Sequence, residues 1–452
     1  MKNSKLLEMM FEHDRWQSLI EKMSDKGINQ TELKALCRPD TRVRLYQALV
    51  TETIELPPCH KALIPKDVKG EFRTVFVGET MERCLMSLIN DCLFTLFPEM
   101  VHVQCKSYRS GESCGKTVQE LSRKMVELEK DFKDGDVTGL KFDFKSYFDL
   151  ITKEAIFNVF DTIEDKLGFA RNTEPVVNFL RKTYGSDLVF ELDNSLSHQW
   201  MGIRQGNACG SWLADVILYE LDEFMSSKYE IYYRYSDDLA VFDHDLSEVI
   251  DDINNIICKY GVRLNDKKTA ELRKGVYFKF LGFNLCNDKI TLSKNRVKKF
   301  TKEIYNRTLA KPNISPKQAK ENVKQFLYGN GDGYSWSSAA FAGLQNCDKD
   351  VETLNNFILD TLRMCEIRYN YNQERKAKGL KPRKIKYGWD DIGNIGVVMN
   401  SKDFTLVRGK GSKVKTARQR TEKEIDHYYS IGCLLKAYKT TRPLFETCVR
   451  SM

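Results

Sequence analysis

Three aspartates of this 452-residue chain stand where apolar segments end or meet. Asp143 lies in a short apolar segment, and Asp237 and Asp238 lie where two apolar runs join inside residues 231–242. Carboxylates at the ends of buried strands are costly unless they are paired or bind a metal. Only one cation, Arg234, is close in sequence to the aspartate pair, and one cation cannot neutralise two adjacent carboxylates. We therefore expect divalent ions to neutralise the three carboxylates. Oxygen ligands suit Mg²⁺, and two ions about 3.5–4 Å apart would support in-line phosphoryl transfer.

The surrounding pattern predicts the elements that would position these side chains. Residues 140–144 are predicted to form a strand, and residues 231–242 a hairpin with the aspartate pair at its tip. Two further hairpins are predicted, at 61–77 and at 188–203, the latter with arms at 188–192 and 199–203. Helical periodicity covers residues 81–96, 118–128, 156–167, 213–224 and 246–257.

Composition narrows the class of protein. The chain is 42% hydrophobic and 30% charged, which excludes collagen-like, low-complexity and disordered classes. No run approaches the roughly 20 apolar residues needed to cross a bilayer, so we expect no membrane partner. The 13 cysteines include no CxxC pair, a usage that favours a reducing, cytoplasmic location.

Positive charge is concentrated near the C-terminal end. The whole chain carries a net charge of +8, yet residues 373–423 contain 15 lysines and arginines against five acids. Aromatic residues are interleaved with these cations, as expected of a surface that binds a polyanion. The alternative reading is a solvated basic face that keeps the protein soluble.

Five blocks, in order along the chain, resemble those of bacterial reverse transcriptases, the group that includes group II intron and retron enzymes. The blocks are Lys-Phe-Asp-Phe-Lys-Ser-Tyr-Phe-Asp (141–149), Gly-Ile-Arg-Gln-Gly-Asn (202–207), Tyr-Ser-Asp-Asp (235–238), Leu-Asn-Asp-Lys-Lys-Thr (264–269) and Phe-Leu-Gly-Phe (280–283). The resemblance covers roughly residues 60–285, and the layout is most similar to stand-alone defence-associated reverse transcriptases. It implies an α+β right-hand polymerase fold, with fingers, a palm containing an antiparallel sheet, and a helical thumb.

The resemblance also implies roles for individual residues. Asp143, Asp237 and Asp238 would hold two Mg²⁺ ions, for which Mn²⁺ can substitute, with the backbone carbonyl of Phe144 as a further ligand. Lys268 would be the general acid that protonates pyrophosphate, or else one of a solvated pair of lysines. The residues expected to bind the incoming nucleotide are Lys66, Arg73, Arg109, Phe144, Phe148, Gln205, Gly206 and Tyr235. The residues expected to grip the primer are Phe280, Leu281 and Gly282.

Two further assignments, Phe148 and Arg109, have a structural alternative. Phe148 would lie under the sugar and leave no room for a 2′-hydroxyl, which favours deoxynucleotides; otherwise it is a core aromatic. Arg109 matches a basic position of the fingers, and its alternative is an ordinary surface arginine. Lys66 and Arg73 would grip the triphosphate, since cations there neutralise charge that develops on the phosphates.

The expected domains follow from the same resemblance. Residues 1–55 would be an N-terminal helical extension, 56–290 the fingers and palm, 291–372 the thumb, and 373–452 a basic nucleic-acid-binding region. The candidate nucleic-acid contacts of that last region are Arg375, Lys376, Arg383, Lys384, Lys413, Lys415, Arg418 and Arg420.

The combined expectation is an RNA-directed DNA polymerase. It would extend DNA from deoxynucleoside triphosphates on a template RNA, expected to be a structured non-coding RNA, and it would act in anti-phage defence. The alternatives are a retron-type or diversity-generating reverse transcriptase, an untemplated or protein-primed DNA polymerase, and a non-enzymatic RNA-binding scaffold.

Overall fold

The computed structural model describes residues 3–23, 27–66, 70–328 and 348–382. The chain divides into two compact units. The first comprises Met1–Thr117 and Glu127–Lys274, and the second comprises Val118–Val126 and Gly275–Met452.

Helices account for much of both units. Their bounds are α1 (Lys5–Met10), α2 (His13–Met23), α3 (Gln30–Leu36), α4 (Pro39–Val50), α5 (Thr80–Leu96), α6 (Cys114–Leu128), α7 (Tyr147–Leu150), α8 (Lys153–Leu167), α9 (Pro175–Gly185), α10 (Gly210–Val216), α11 (Tyr219–Lys228), α12 (Val249–Ile257), α13 (Lys294–Arg307), α14 (Pro316–Tyr328) and α15 (Asp348–Ala377). Side-chain caps begin several of them, because a hydroxyl oxygen can accept from an otherwise unpaired backbone N–H. Thr152 caps α8 in this way, and Ser293 caps α13.

The strands form three sheets. Their bounds are β1 (Cys59–Pro65), β2 (Phe72–Val77), β3 (Val137–Asp143), β4 (Leu188–Phe190), β5 (Leu196–His198), β6 (Ile231–Tyr235), β7 (Asp238–Phe242), β8 (Ala270–Arg273), β9 (Phe278–Phe280), β10 (Phe283–Cys286) and β11 (Lys289–Leu292). The sheet that carries the aspartates has the order β6-β7-β3-β8 and is antiparallel throughout. The predicted α+β class with an antiparallel sheet is therefore confirmed.

The first unit also contains a sheet of order β2-β1-β4-β5. Its β1–β2 pair is the hairpin predicted at 61–77, with Ile64 opposite Arg73. Strand β4 lies parallel to β1 and antiparallel to β5. The prediction for 188–203 was correct for the hairpin and wrong for its second arm, which is β5. Residues 199–203 are not a strand because Ile203 bonds instead to the backbone of the segment after β3, donating to the Phe148 carbonyl at 2.8 Å.

Helices α1 to α4 add apolar surface to the core of the first unit. Trp16 is 2% exposed, and its indole N–H donates to the Met10 carbonyl at 3.1 Å. The Ser4 hydroxyl bonds to the buried carboxylate of Glu174 at the start of α9. These contacts tie residues near the N-terminus to the helices of the same unit.

The single helix predicted at 213–224 is divided in the structure. Helix α10 ends at Val216 and α11 begins at Tyr219, with Ile217 and Leu218 between them, both buried. Because the apolar spacing continues through the turn, periodicity alone did not reveal the break.

In the second unit, β11-β10-β9 form an antiparallel sheet, and α13, α14 and α15 pack against one another. Arg368 of α15 is 2% exposed, and its guanidinium donates to the carbonyls of Leu309 at 2.9 Å and Lys311 at 2.7 Å. Those bonds satisfy backbone groups just beyond the end of α13. Among the helices in the described part of the chain, none is both long and apolar enough to cross a bilayer.

Candidate active site

Strand pairing brings the three aspartates together at one end of the two central strands of the antiparallel sheet, β3 and β7. Asp143, the last residue of β3, lies directly opposite Asp238, the first residue of β7. Asp237 occupies the adjoining turn, and its carbonyl accepts from the Phe144 N–H at 3.1 Å. Burial, and after it the charges of Asp238 and Asp143, raises the pKa of Asp237 to about 6. The site therefore concentrates negative charge where water screens it poorly.

Two lysines pair with these carboxylates. The Lys268 Nζ lies 2.8 Å from both Asp143 carboxylate oxygens, and the Lys141 Nζ lies 2.9 Å from Asp238 Oδ1. Neither lysine is close in sequence to the Asp237–Asp238 pair, so a search for a cation local to that pair did not identify them as its partners. Lys141 is close to Asp238 only because β3 pairs with β7, and Lys268 is close to Asp143 because the Asn265 N–H bonds to the Asp143 carbonyl at 2.9 Å.

Arg234, the cation nearest in sequence, points away from the aspartates. It is fully buried, and its Nε and Nη2 donate to the two Asp222 carboxylate oxygens at 2.7 and 2.6 Å. Burial favours the neutral guanidine, but the charge and hydrogen bonds of Asp222, together with smaller contributions from neighbouring buried groups, outweigh it and raise the pKa of Arg234. The same guanidinium donates to the carbonyls of Ala214 at 3.0 Å and Asp215 at 2.7 Å. The pair thus joins β6 to α10 and α11 beneath the aspartate turn, a role that the sequence analysis missed.

The predicted nucleotide residues near α7 lie together. Phe148 is half-buried beside the buried ring of Tyr147, 5.5 Å between ring centroids. Gly202 has a φ of +55°, and a Cβ there would lie 2.0 Å from the Phe148 carbonyl oxygen, so only glycine allows this approach. The Gln205 carbonyl accepts from the Phe76 N–H at 2.7 Å, which fixes the loop containing Gly206 against β2.

The predicted triphosphate cations face the segment after β3. Arg73 is exposed on β2, and Lys66 follows β1, with its Nζ 3.6 Å from Glu71 Oε2. Burial raises the pKa of Asp149, and the positive charges of Arg73 and Lys66 oppose that rise. Asp149, which the sequence analysis did not single out as a site residue, is therefore an acidic neighbour of both cations.

Two other predicted nucleotide residues have defined partners. Burial raises the pKa of Tyr235, whose hydroxyl contacts the Cys114 thiol. The Arg109 Nη1 donates to the His102 carbonyl at 3.1 Å. That bond ties the Arg109 guanidinium to the backbone of its own segment.

The predicted primer grip is a two-residue turn in the second unit. Phe280 of β9 lies opposite Phe283 of β10, and Leu281 and Gly282 have φ angles of +48° and +82°. Arg296 of α13 braces this turn by donating from Nη2 to the Leu281 carbonyl at 2.7 Å. Glycine is favoured at position 282 because its φ lies in the left-handed region, and a Cβ there would also displace Arg296, whose Nε would lie 2.2 Å away.

The predicted C-terminal contacts are described only in part. Arg375 lies near the end of α15, where its Nε donates to the Lys381 carbonyl at 3.0 Å, and Lys376 is exposed. The other six predicted contacts lie outside the described residues: Arg383, Lys384, Lys413, Lys415, Arg418 and Arg420.

The aspartate site fits divalent cations by the chemistry of its donors. Asp143, Asp237 and Asp238 offer only carboxylate oxygens, which suit hard cations. Burial, and after it the charges of the other two aspartates, raises the pKa of Asp237, so a divalent cation would relieve an unfavourable negative charge there. Within the described residues, a different group has three candidate ligand atoms within 4.8 Å of one another, namely Glu230, Asp243 and His244 at the opposite end of the β6–β7 hairpin. Local bonds explain that group, since the His244 ring contacts the Glu230 carboxylate at 3.1 Å.

The Arg234–Asp222 pair generates a stability prediction. Asp222→Ala leaves a buried guanidinium without its carboxylate, so we expect a loss of about 3–5 kcal/mol in the free energy of unfolding. Denaturant unfolding would measure it. The double variant Asp222→Leu, Arg234→Met removes both charges and should recover most of that loss. Equal destabilisation in the single and double variants would contradict this explanation.

Comparisons with known proteins agree with the sequence blocks. Residues 64–285 match the family described as reverse transcriptase (RNA-dependent DNA polymerase). An uncharacterized 91 kDa protein in the cob intron of Schizosaccharomyces pombe is 22% identical over 185 residues, which are 41% of this chain and 21% of that protein.

Telomerase structures are also similar. One from Candida albicans, in complex with a TWJ fragment of telomeric RNA, matches at 14% identity and a TM-score of 0.38, over 73% of this chain and 64% of that chain. An apo telomerase from Candida tropicalis matches at 14% identity and a TM-score of 0.40, over 75% of this chain and 64% of that chain. The chain thus spans about a fifth of the curated relative and under two thirds of these telomerases. The family match covers 222 of the 452 residues, and within residues 64–285 the chain is therefore similar to the reverse transcriptase (RNA-dependent DNA polymerase) family.

Proposed function

We propose that the chain is an RNA-directed DNA polymerase that extends DNA on a template RNA. The observation that carries this proposal is the register of β3 and β7, which sets Asp143 opposite Asp238 with Asp237 in the adjoining turn. This arrangement lies inside the reverse transcriptase match. In the proposed reaction, the 3′-hydroxyl oxygen of the DNA attacks the α-phosphorus of a deoxynucleoside triphosphate. A P–O bond forms to the DNA as the bond to pyrophosphate breaks.

The three aspartates are proposed to hold two divalent cations, Mg²⁺ or Mn²⁺, with the Phe144 carbonyl as a further ligand. When bound, these cations would stabilise the charge on the attacking and leaving oxygens. Lys268, whose Nζ already lies at the Asp143 carboxylate, is proposed to give its proton to the departing pyrophosphate.

Other residues are proposed to bind the nucleotide. Lys66 and Arg73 would hold the triphosphate, and both are close enough to Asp149, beside Phe148, for their charges to oppose the rise of its pKa. Phe148 would support the sugar, its position being constrained by the close approach of Gly202. Tyr235, Arg109 and the Gln205–Gly206 loop are proposed as further contacts on the basis of the resemblance.

The second unit is proposed to be the thumb, following the primer-grip turn. Lys294, Lys298 and Lys302 are exposed at four-residue intervals on α13, so they lie on one face of that helix. A row of ammonium groups at this spacing suits contact with nucleic-acid phosphates. The helical extension proposed for residues 1–55 contains α1 to α4.

The template is proposed to be a dedicated structured RNA. The excess of lysine and arginine over acids in residues 373–423, with aromatics interleaved, supports this proposal because cations neutralise phosphates and aromatics stack on unpaired bases. A bacterial, cytoplasmic enzyme of anti-phage defence remains our prediction for its biology. Sequencing of nucleic acid co-purified with the protein would separate this from mutagenised gene copies, branched RNA–DNA or untemplated product.

Removal of two carboxylates tests the polymerase activity. We expect Asp237→Asn, Asp238→Asn to lower primer extension on RNA by about 10³-fold or more, since charge stabilisation worth several kcal/mol is removed. The matched control is Asp251→Asn, Asp252→Asn, an adjacent aspartate pair on α12, which should extend like wild type. Undiminished extension by the Asp237, Asp238 variant would contradict the catalytic role of these aspartates. Full biological activity of a variant that no longer extends primers would favour a binding scaffold.

Phe148 tests sugar selection. Phe148→Ala should lower the ratio of kcat/KM for deoxynucleotides over ribonucleotides by about tenfold, because space opens for a 2′-hydroxyl. Phe157→Ala, which removes a partly buried phenylalanine of α8, is the control and should leave the ratio unchanged. If Phe148→Ala reduced use of both nucleotide classes equally, the ring would be a core aromatic only.

Charge reversal tests the basic region. Changing Lys413, Lys415, Arg418 and Arg420 to Glu should weaken RNA binding and flatten its salt dependence. The slope should fall by about 0.7 for each single-strand phosphate that the variant no longer neutralises. Reversal of Lys130 and Lys133, cations of the first unit outside the proposed site, provides the control. An unchanged RNA affinity and salt slope would exclude this region from binding.

A further inference from the structure

A short segment of the first unit, which we call the strap (residues 104–107), lies along the outer edge of β6. The Arg234 N–H donates to the Gln104 carbonyl at 3.1 Å, and the Lys106 N–H donates to the Arg234 carbonyl at 2.9 Å. Cys105 pairs with Arg234 in a parallel bridge. The strap thus extends the pairing of the sheet toward the turn that carries Asp237.

Ser107 ends the strap with a side chain bonded in two directions. Its hydroxyl donates to Asp215 Oδ1 at 2.5 Å, and its oxygen accepts from the Ser236 N–H at 3.0 Å. Ser107 and Asp215 are both 0% exposed, so water does not compete for these bonds. Because the Ser107 hydroxyl donates its hydrogen bond to Asp215, the lone pairs of the Ser107 oxygen are left to accept from the Ser236 N–H.

The residue held in this way has an unfavourable backbone conformation. Ser236 has a φ of +57°, in the left-handed region that non-glycine residues seldom adopt. It forms the turn with Asp237, between the paired residues Tyr235 and Asp238. Such a conformation persists only where surrounding contacts stabilise it. The Arg234 Nη1 approaches the Ser236 carbonyl at 3.4 Å, a longer contact than the bond from the Ser107 side.

We propose that Ser107 is a positioning residue for the Asp237–Asp238 turn, and that Asp215 orients the Ser107 hydroxyl for that task. This inference rests on the proposed polymerase function for its catalytic consequence. Asp237 follows Ser236 directly. Loss of the hydrogen bond from the Ser236 N–H to Ser107 would therefore let the turn relax and move the Asp237 carboxylate relative to Asp143. Displacements of about 1 Å in a reacting geometry can cost about 10²-fold in rate.

Hydrogen exchange tests the structural half of this proposal without relying on activity. In Ser107→Ala, the Ser236 amide loses its acceptor, and we expect the peptide containing residues 235–238 to exchange about tenfold faster. Ser122→Ala removes another buried serine hydroxyl, one that donates to the Asn287 carbonyl, and should leave that peptide unchanged. A cooperative thermal transition would show that the Ser107→Ala variant is folded. Unaltered exchange of the 235–238 peptide in that folded variant would overturn the proposal.

Kinetics test the catalytic half. We expect Ser107→Ala to lower kcat for primer extension about tenfold while the KM for the deoxynucleotide stays within about threefold, because the turn carries aspartates rather than the nucleotide pocket. A change in KM alone would contradict a positioning role for the turn. If wild-type protein makes no DNA, the proposed function fails, and the exchange result still decides the role of Ser107.

Asp215 provides a rescue comparison. Asp215→Asn keeps an oxygen that can accept from Ser107, so exchange of the 235–238 peptide and kcat should remain close to wild type. Asp215→Ala removes the acceptor and should move both quantities in the same direction as Ser107→Ala. If Asp215→Asn were as impaired as Asp215→Ala, the carboxylate charge would be required instead, and the orienting role assigned to the hydrogen bond would be wrong.

Discussion

Crowding of negative charge at the ends of two central strands of one antiparallel sheet is the constraint on which the rest of the site depends. Asp143 and Asp238 are opposite each other in the β3–β7 pair, with Asp237 next to them. Like charges at this separation repel, and burial strengthens the repulsion. Lys141 and Lys268 neutralise part of this negative charge by pairing with Asp238 and Asp143. The carboxylate oxygens are ligands that suit divalent cations, which would neutralise the rest.

A geometry that places like charges together has to be supported from behind. The Arg234–Asp222 pair does this from the opposite side of β6, where the two side chains satisfy each other and two backbone carbonyls of α10. Truncating one partner of such a pair is costly because a buried charge is left alone, whereas the net stabilisation by the intact pair is modest. Its effect here is geometric, since it links the aspartate hairpin to α10 and α11. The strap adds a second support at Ser236.

The strands and hairpins were largely predictable because their signals are local. Apolar runs interrupted by turn residues located β1 and β2, and β6 and β7, close to their observed bounds. Tertiary packing decided the exceptions. The segment 199–203 became a packed loop because its backbone bonds to the residues after β3, and the helix predicted at 213–224 was broken at a buried turn. Neither event changes the spacing of apolar residues, so neither leaves a trace in the periodicity.

The sequence by itself determined the identity of the acidic residues and their placement at strand ends, because residue type and alternation along the chain are local properties. The partners of those residues were decided only by the tertiary structure. Lys268 and Asp143 are separated by 125 residues, and Ser107 and Ser236 by 129. Contacts of this kind depend on strand register and on which elements become neighbours. For that reason Arg234, the cation nearest in sequence, bonds to Asp222, and distant lysines reach the aspartates.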